Sequence, residues 1–232
     1  MKIAIIVPMA EEADFYRHHF ASEETKMFGS TEFEHFYVQG NDIYLGLSGI
    51  GKVQAAMNLS SLLSNEDIDL IFVTGSAGSL NKDVHRKDLV LPNSFAYHDA
   101  HNTSAGNYVE GQIPQEPARF VLNSPERENF KRYLSQQGVQ YKEGLAVTGD
   151  SFISSSKQKD EILKNFPEAL CVEMEGAAFA QVAYHFKTPI VILRAISDNG
   201  DESADNDFDA FVKEVGAKAA KLIVNYLKEN KL

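Results

Sequence analysis

The sequence predicts an α/β fold with a mostly parallel sheet. Short apolar runs alternate along the chain with segments of helical periodicity, which is the pattern of strands linked by helices. The strongest runs, Ile3 to Val7, Leu70 to Val73 and Ile190 to Ile196, have the length and β-branched content of buried strands. With 44% hydrophobic and 24% charged residues over 232 positions, the chain can bury one substantial core. No repeat, low-complexity tract or linker interrupts it, so a single domain over residues 1–232 is expected.

Each element has its own signal. After the first strand, Glu11 to Phe20 reads as a helix. Phe33 to Val38 and Ile43 to Leu47 flank Gly40-Asn41, a hairpin turn pair. Val53 to Leu63 is helical. Leu70 to Val73 runs into Thr74-Gly75-Ser76-Ala77-Gly78, and Leu89 to Leu91 is another short strand. Ser124-Pro125-Glu126 is a helix start, with Ser as N-cap and Pro at the first helical position, and Gly138 can end that helix. Leu145 to Val147 is a strand. Gly176 to Phe186 is a helix rich in small residues, broken at Thr188-Pro189. In the last helix Phe208, Phe211, Val212, Val215, Ala219, Leu222, Ile223 and Tyr226 recur at helical spacing.

Charge and composition exclude several functions. A net charge of -11 with no basic stripe argues against nucleic acid and anionic membrane surfaces as partners. The lone cysteine, Cys171, has no partner for a disulfide or a zinc cluster and suits a reducing compartment. The apolar N-terminus is too short for a signal peptide, and no run approaches the ~18 apolar residues of a membrane span. A cytoplasmic protein is expected.

Several motifs fail on inspection. Gly46-Leu47-Ser48-Gly49-Ile50-Gly51-Lys52-Val53 follows a P-loop until its last position, where Val53 replaces the hydroxyl that holds magnesium. Gly75-Ser76-Ala77-Gly78 lacks the dinucleotide spacing, and the turn after the first strand has Pro8 and no glycine. His98-Asp99-Ala100-His101 carries metal-ligand types, but its spacing suits a helix whereas the segment reads as strand and loop. Cys171 reads as a buried strand residue. Asn58 and Asn102 head glycosylation patterns that mean nothing without a secretory signal.

In open α/β sheets ligands bind beyond the carboxyl ends of strands. That rule points to Met9 to Glu12, Ser76 to Gly78, Asp150 to Ile153 and Ser197-Asp198. Glu12, Ser76, Glu175 and Asp198 all fall at such ends. Each alone would pass for solvated surface or a helix-start acid; together they place three carboxylates around one rim.

At this point a resemblance becomes specific. Ser48-Gly49-Ile50-Gly51-Lys52, Val73-Thr74-Gly75-Ser76-Ala77-Gly78, Tyr97-His98-Asp99-Ala100, Gly149-Asp150-Ser151-Phe152, Val172-Glu173-Met174-Glu175 and Arg194-Ala195-Ile196-Ser197-Asp198 stand in order. Across its whole length the chain resembles the bacterial 5'-methylthioadenosine/S-adenosylhomocysteine nucleosidases of the nucleoside phosphorylase superfamily. The resemblance implies a three-layer α/β/α domain around a mixed, partly barrel-like sheet. It also implies a homodimer whose subunits complete each other's sites, and no metal or organic cofactor.

The resemblance implies roles as well. Asp198 matches the general acid that protonates N7 of adenine, and as an aspartate it favours a 6-amino purine, where 6-oxopurine enzymes carry Asn. A free Asp has a pKa of about 3.9, so donation at neutral pH requires an upward shift. Glu12 matches the base for the attacking water, with Ser76 and Arg194 helping to hold water or base. Glu175 matches the acceptor of both ribose hydroxyls, and Met174 packs on the sugar. Phe152 matches the ring stacked on adenine, the backbone of Ile153 its hydrogen-bonding partner, and Ser197 a further binding position. Met9, Ile50 and Phe208 match apolar positions around the 5'-alkylthio group, although Phe208 also fits the final helix stripe. The loop with Asn102 and Ala105 departs from the family, which more often has apolar and aromatic residues there.

One argument is independent of the resemblance. A phosphorylase needs Arg, Lys or helix N-termini aimed at a phosphate dianion. After the first strand this chain offers Glu11 and Glu12, and no basic residue before Arg17. A carboxylate there repels phosphate and can deprotonate water. Hydrolysis is therefore expected, with a phosphorylase or a nucleosidase for another 5'-modified adenosine as the alternatives.

Overall fold

The computed structural model describes residues 1–230, so the last two residues of the expected domain lie outside the described residues. In chain order its elements are β1 (Lys2–Val7), α1 (Ala10–His19), β2 (Glu24–Phe28), β3 (Thr31–Val38), β4 (Asn41–Leu47), α2 (Lys52–Leu63), β5 (Leu70–Ser79), β6 (Leu89–Val90), β7 (Ser94–Tyr97), β8 (Phe120–Val121), α3 (Pro125–Gln136), β9 (Leu145–Thr148), α4 (Ser156–Asn165), β10 (Ala169–Glu173), α5 (Gly176–Phe186), β11 (Ile190–Asp198) and α6 (Ala204–Glu229).

Strand alternation sorts the core into two layers. Side chains on a strand point alternately to opposite faces. Ala4, Ile6, Ile71, Val73, Ile190 and Ile192 face α2 and α5, packing with Ala55, Leu59, Ala177 and Ala180. Ile3, Ile5, Val7, Phe72, Val191 and Leu193 face α1, α3 and α6, packing with Tyr16, Phe130, Val215 and Ile223. Helices thus cover both faces, giving three layers. A third cluster, around Val147, Ile162, Phe166 and Val172, seats α4.

The sheet has eleven strands and is mixed. β5 is its hub. Its first half pairs in parallel with β1, while its end, Gly78 and Ser79, pairs antiparallel with Val172 and Cys171 of β10. β11 follows its other edge from Ile71 to Gly78. From β10 the sheet continues to β9. A bridge from Lys142 to Val90 leads to β6, which pairs with β11. The circuit closes back on β5, which is the partly barrel-like curvature.

Two readings of the residues are corrected. The sheet is mixed instead of mostly parallel: β2–β3–β4 are joined by two-residue connections too short for a parallel crossover, and β7 with β8 and β5 with β10 also pair antiparallel. The hairpin turn is Gln39-Gly40, one residue earlier than Gly40-Asn41. Gln39 and Gly40 take φ of 51° and 86°, and Asn41 already pairs with Val38 in β4. A two-residue turn of this hand needs positive φ at both central positions, and glycine meets that demand at the second. The Ser124 cap is as expected: its Oγ accepts from Arg127 N at 3.2 Å, with Pro125 opening α3.

Candidate active site

Glu12 sits in the first turn of α1, where a side chain can reach back to the helix entrance. One carboxylate oxygen accepts from Met9 N at 3.1 Å and the other from Ser76 N at 3.0 Å. The side chain is therefore fixed to α1 and β5 together. Tyr16 reinforces that seam through its hydroxyl, 2.9 Å from Thr74 Oγ1. Burial pushes Glu12 up to about 7, against the pull of Arg194 and the two backbone donors.

β11 delivers Arg194 and Asp198 to opposite ends of the same wall. Asp198 accepts from Ser197 Oγ at 2.7 Å and from Gly200 N at 2.8 Å. Burial raises its pKa above the ordinary carboxylate value, while those two donors oppose the rise. The facing position on β5 is Gly78. A Cβ there would lie 2.8 Å from Asp198 Oδ1, so only glycine leaves the carboxyl its place.

Glu175 occupies the N-cap position of α5 but does not cap it. Its Oε1 accepts from Gly51 N at 2.9 Å, and its Oε2 lies 3.5 Å from Arg194 Nη2. Burial pushes Glu175 upward, Arg194 opposes, and Glu173 adds to the rise. Arg194 is wholly buried. Its Nη2 is also bound to Glu173, which the sequence reading left without a role. Glu173 ends β10 and Glu175 sits just before α5, so the bend between them brings both carboxylates to Arg194.

These groups line one cavity of about 500 Å³. Met9, Glu12, Ile50, Ser76, Phe152, Ile153, Met174, Glu175, Arg194, Ser197, Asp198 and Phe208 all contribute to its wall, so every site residue expected from the sequence reaches it. Glu173, Gly78 and Asp205 also contribute. Phe208 turns out of the final helix stripe: its ring meets that of Phe152 edge-on, with centroids 5.6 Å apart. Phe152 and Ile50 are exposed at the mouth.

The rejected motifs find other uses. Lys52, the would-be P-loop lysine, binds Asp99 at 2.6 Å, and its backbone N–H donates to Asp150 at 2.8 Å. Glu175 takes the preceding N–H. Asp99 and His101 turn to different partners, Lys52 and Glu110. Among the described residues no group of three or more His, Cys, Asp or Glu side chains is placed to hold a metal ion. Cys171 is fully buried, and that burial pushes its thiol up to about 12, out of nucleophile range.

Comparisons with known proteins give the family. A family model described as the phosphorylase superfamily matches residues 2–228. A 5'-methylthioadenosine/S-adenosylhomocysteine nucleosidase from Haemophilus influenzae (strain PittEE) is 37% identical, over 98% of this chain and 99% of the relative. One from Staphylococcus carnosus (strain TM300) is 36% identical, over 97% of this chain and 99% of the relative. The crystal structure of the Neisseria meningitidis enzyme in complex with methylthio-immucillin-A superposes with a TM-score of 0.92 at 38% identity, covering 99% of each chain. The chain belongs to the phosphorylase superfamily and, within it, to the 5'-methylthioadenosine/S-adenosylhomocysteine nucleosidases.

Proposed function

We propose that this protein hydrolyses the N-glycosidic bond of 5'-methylthioadenosine and S-adenosylhomocysteine, and that residues 1–232 act as one nucleosidase domain. The observation that carries the reading is the division of one cavity. A buried Asp198, its pKa raised by that burial, lies at one end of β11, and Glu12, Glu175 and Arg194 gather at the other. The C1'–N9 bond breaks with its electron pair leaving on adenine. Asp198 delivers a proton to N7. Glu12 takes a proton from the water whose oxygen bonds to C1'. A carboxylate with a pKa near 7 suits that task at neutral pH.

The remaining roles are those the family resemblance implies for residues that line this cavity. Phe152 stacks on the adenine, the Ile153 backbone pairs with its edge, and Ser197 orients Asp198. Glu175 accepts from the ribose hydroxyls, Met174 packs on the sugar, and Ser76 and Arg194 hold the water or its base. Met9, Ile50 and Phe208 surround the 5'-alkylthio group. The carboxylates also favour an oxocarbenium-like transition state, which is positive where the ground state is neutral.

Water is favoured over phosphate by the balance of charge. Arg194 is the one basic residue in the described cavity lining, and Glu173 and Glu175 already bind it. A dianion would enter beside Glu12 and Glu175, and the charge of Arg194 is already balanced by two carboxylates.

The wider setting is read in the same way. We place the protein in the cytoplasm, acting in methionine salvage and in recycling of S-adenosylhomocysteine, as a homodimer. No described helix is long and apolar enough to cross a membrane. Leu47 at the end of β4, Ile50 in the following turn, and Val53 and Met57 of α2 are exposed apolar side chains, and Ile50 also lines the cavity, which suits a second subunit.

The deciding experiment is adenine release from 5'-methylthioadenosine in phosphate-free buffer and with added phosphate, with the sugar identified. Free methylthioribose in both buffers is expected, and Asp198→Asn should abolish release while remaining folded. Release only with phosphate, as a sugar 1-phosphate, would sink the hydrolase and the role of Glu12. Wild-type turnover by Asp198→Asn would sink the assignment of the acid.

A further inference from the structure

Arg194 presents an imbalance. It is wholly buried, yet its Nε and Nη1 have no hydrogen-bond partner among the described residues. A guanidinium is always charged and carries five donors, so unpaired N–H groups in the interior are costly unless a ligand or water completes them. The Nη1 side points along β5. A Cβ on Gly75 would lie 2.1 Å from Arg194 Nη1 and 3.4 Å from Glu12 Oε1, so both groups crowd the bare Cα of Gly75. Despite that nearness, the ion pairs of Arg194 among the described residues go to Glu173 and Glu175 and not to Glu12.

Glu173 explains the choice. Its carboxylate is buried and tied down from three sides. Gly176 N donates to it at 2.6 Å and Glu175 N at 3.2 Å, both from the start of α5. Thr148 Oγ1 of β9 donates to its other oxygen, and itself accepts from Ala177 N at 2.8 Å. Glu173 is therefore a rigid anion, set by β9, β10 and α5, that waits for Arg194 Nη2. Charge-assisted pairs of this kind are directional and strong.

We propose that Glu173 is a positioning residue for the hydrolysis: by binding Arg194 Nη2 it holds the guanidinium off Glu12 and leaves Nη1 and Nε facing the sugar and the attacking water. Without that anchor, the nearest anion for Arg194 on the α1 side is Glu12. Pairing with Glu12 would neutralise the base and withdraw the donors from the water. Glu173 acts through Arg194.

This inference rests on the proposed hydrolase reading, and its test separates the two. Wild-type release of adenine from 5'-methylthioadenosine without phosphate reports on the hydrolase alone. Glu173→Gln keeps an acceptor for the α5 backbone but loses the charge. It should lower kcat about ten- to hundredfold, as expected for a misplaced reacting group. KM and the affinity for adenine should stay within about threefold, since the adenine end of the cavity is untouched. The discriminating step is the cycle with Arg194→Ala, read by single-turnover adenine release. A residue acting through Arg194 should cost less than about twofold once Arg194 is gone. Wild-type kcat in Glu173→Gln, or an equal loss in both backgrounds, overturns the proposal, the latter marking a merely structural role. A second measurement needs no variant: a crystal structure of the wild-type protein with a cationic 5'-methylthio pyrrolidine analogue of the nucleoside. Arg194 staying on Glu173 with Nη1 or Nε on the ligand or its water supports the proposal. Arg194 moving to Glu12 overturns it, whatever the outcome of the turnover assay.

Discussion

Burial makes Glu12 a different acid from the carboxylates on the surface. Its pKa stands at about 7 in the folded protein against an ordinary value of 4.5. The sign of the consequence follows from proton counting. Between those two values the folded state holds a proton that the unfolded state has released, so stability from this group is full below about 4.5 and is lost as pH rises through 7. The loss amounts to about 3 kcal/mol. Urea unfolding of the wild type and of Glu12→Gln should therefore differ in pH dependence. The wild type should lose more stability than the variant between pH of about 4.5 and 7.5, and parallel curves would refute the assignment. The functional counterpart is that the feature which costs stability at neutral pH is the one that lets the group serve as a base.

At the level of single elements, β5 shows how a strand can be both scaffold and wall. Its first half is apolar core, and its second half changes to Thr74-Gly75-Ser76-Ala77-Gly78, where missing side chains matter more than those present. Gly78→Ala would place a Cβ against Asp198 Oδ1. We expect kcat to fall by about tenfold or more from the displaced acid, with a melting temperature only slightly lowered. Unchanged turnover would show that Asp198 tolerates the shift. The same half-and-half character explains what the sequence disclosed. Ile3–Val7 and Ile190–Ile196 were legible because they are continuous apolar runs, and α5 because its small residues end at a clear break. β2, β7, β8 and β10 were not, since they are short and, unlike the equally short β6 and β9, have polar residues or loop signals in or beside them that hide the pattern. α4 was hidden by its composition: Ser156–Asn165 is strongly polar, and Ile162 is its one buried residue. The rim carboxylates were legible from strand-end position, and their roles came from resemblance. The Arg194–Glu173 pair was not legible, because it joins two strands that only the folded sheet brings together.

On the scale of the whole molecule, the exposed apolar face of α2 is the main unresolved demand. Val53 is 76% exposed, which is costly for a branched aliphatic side chain unless another surface covers it. For the proposed homodimer, Val53→Glu should shift sedimentation velocity from dimer toward monomer and weaken turnover, since the nearby exposed Ile50 also lines the cavity. A variant that sediments like the wild type would remove this face from the interface. The closed strand circuit around β5 has a separate consequence, for solubility. A sheet that curls back on itself leaves few unpaired backbone rims where another chain could add a strand and seed fibrils. Here the two ends of the main strand path are β2 and β8. β8 is only two residues long, too brief a template for lengthy pairing. β2 interleaves Glu24 and Lys26 along its rim, so an incoming strand would meet charge where it needs apolar contact. The molecule's acidic surface adds repulsion between copies, and its protection from aggregation is thus set by the same curvature that shapes the cavity.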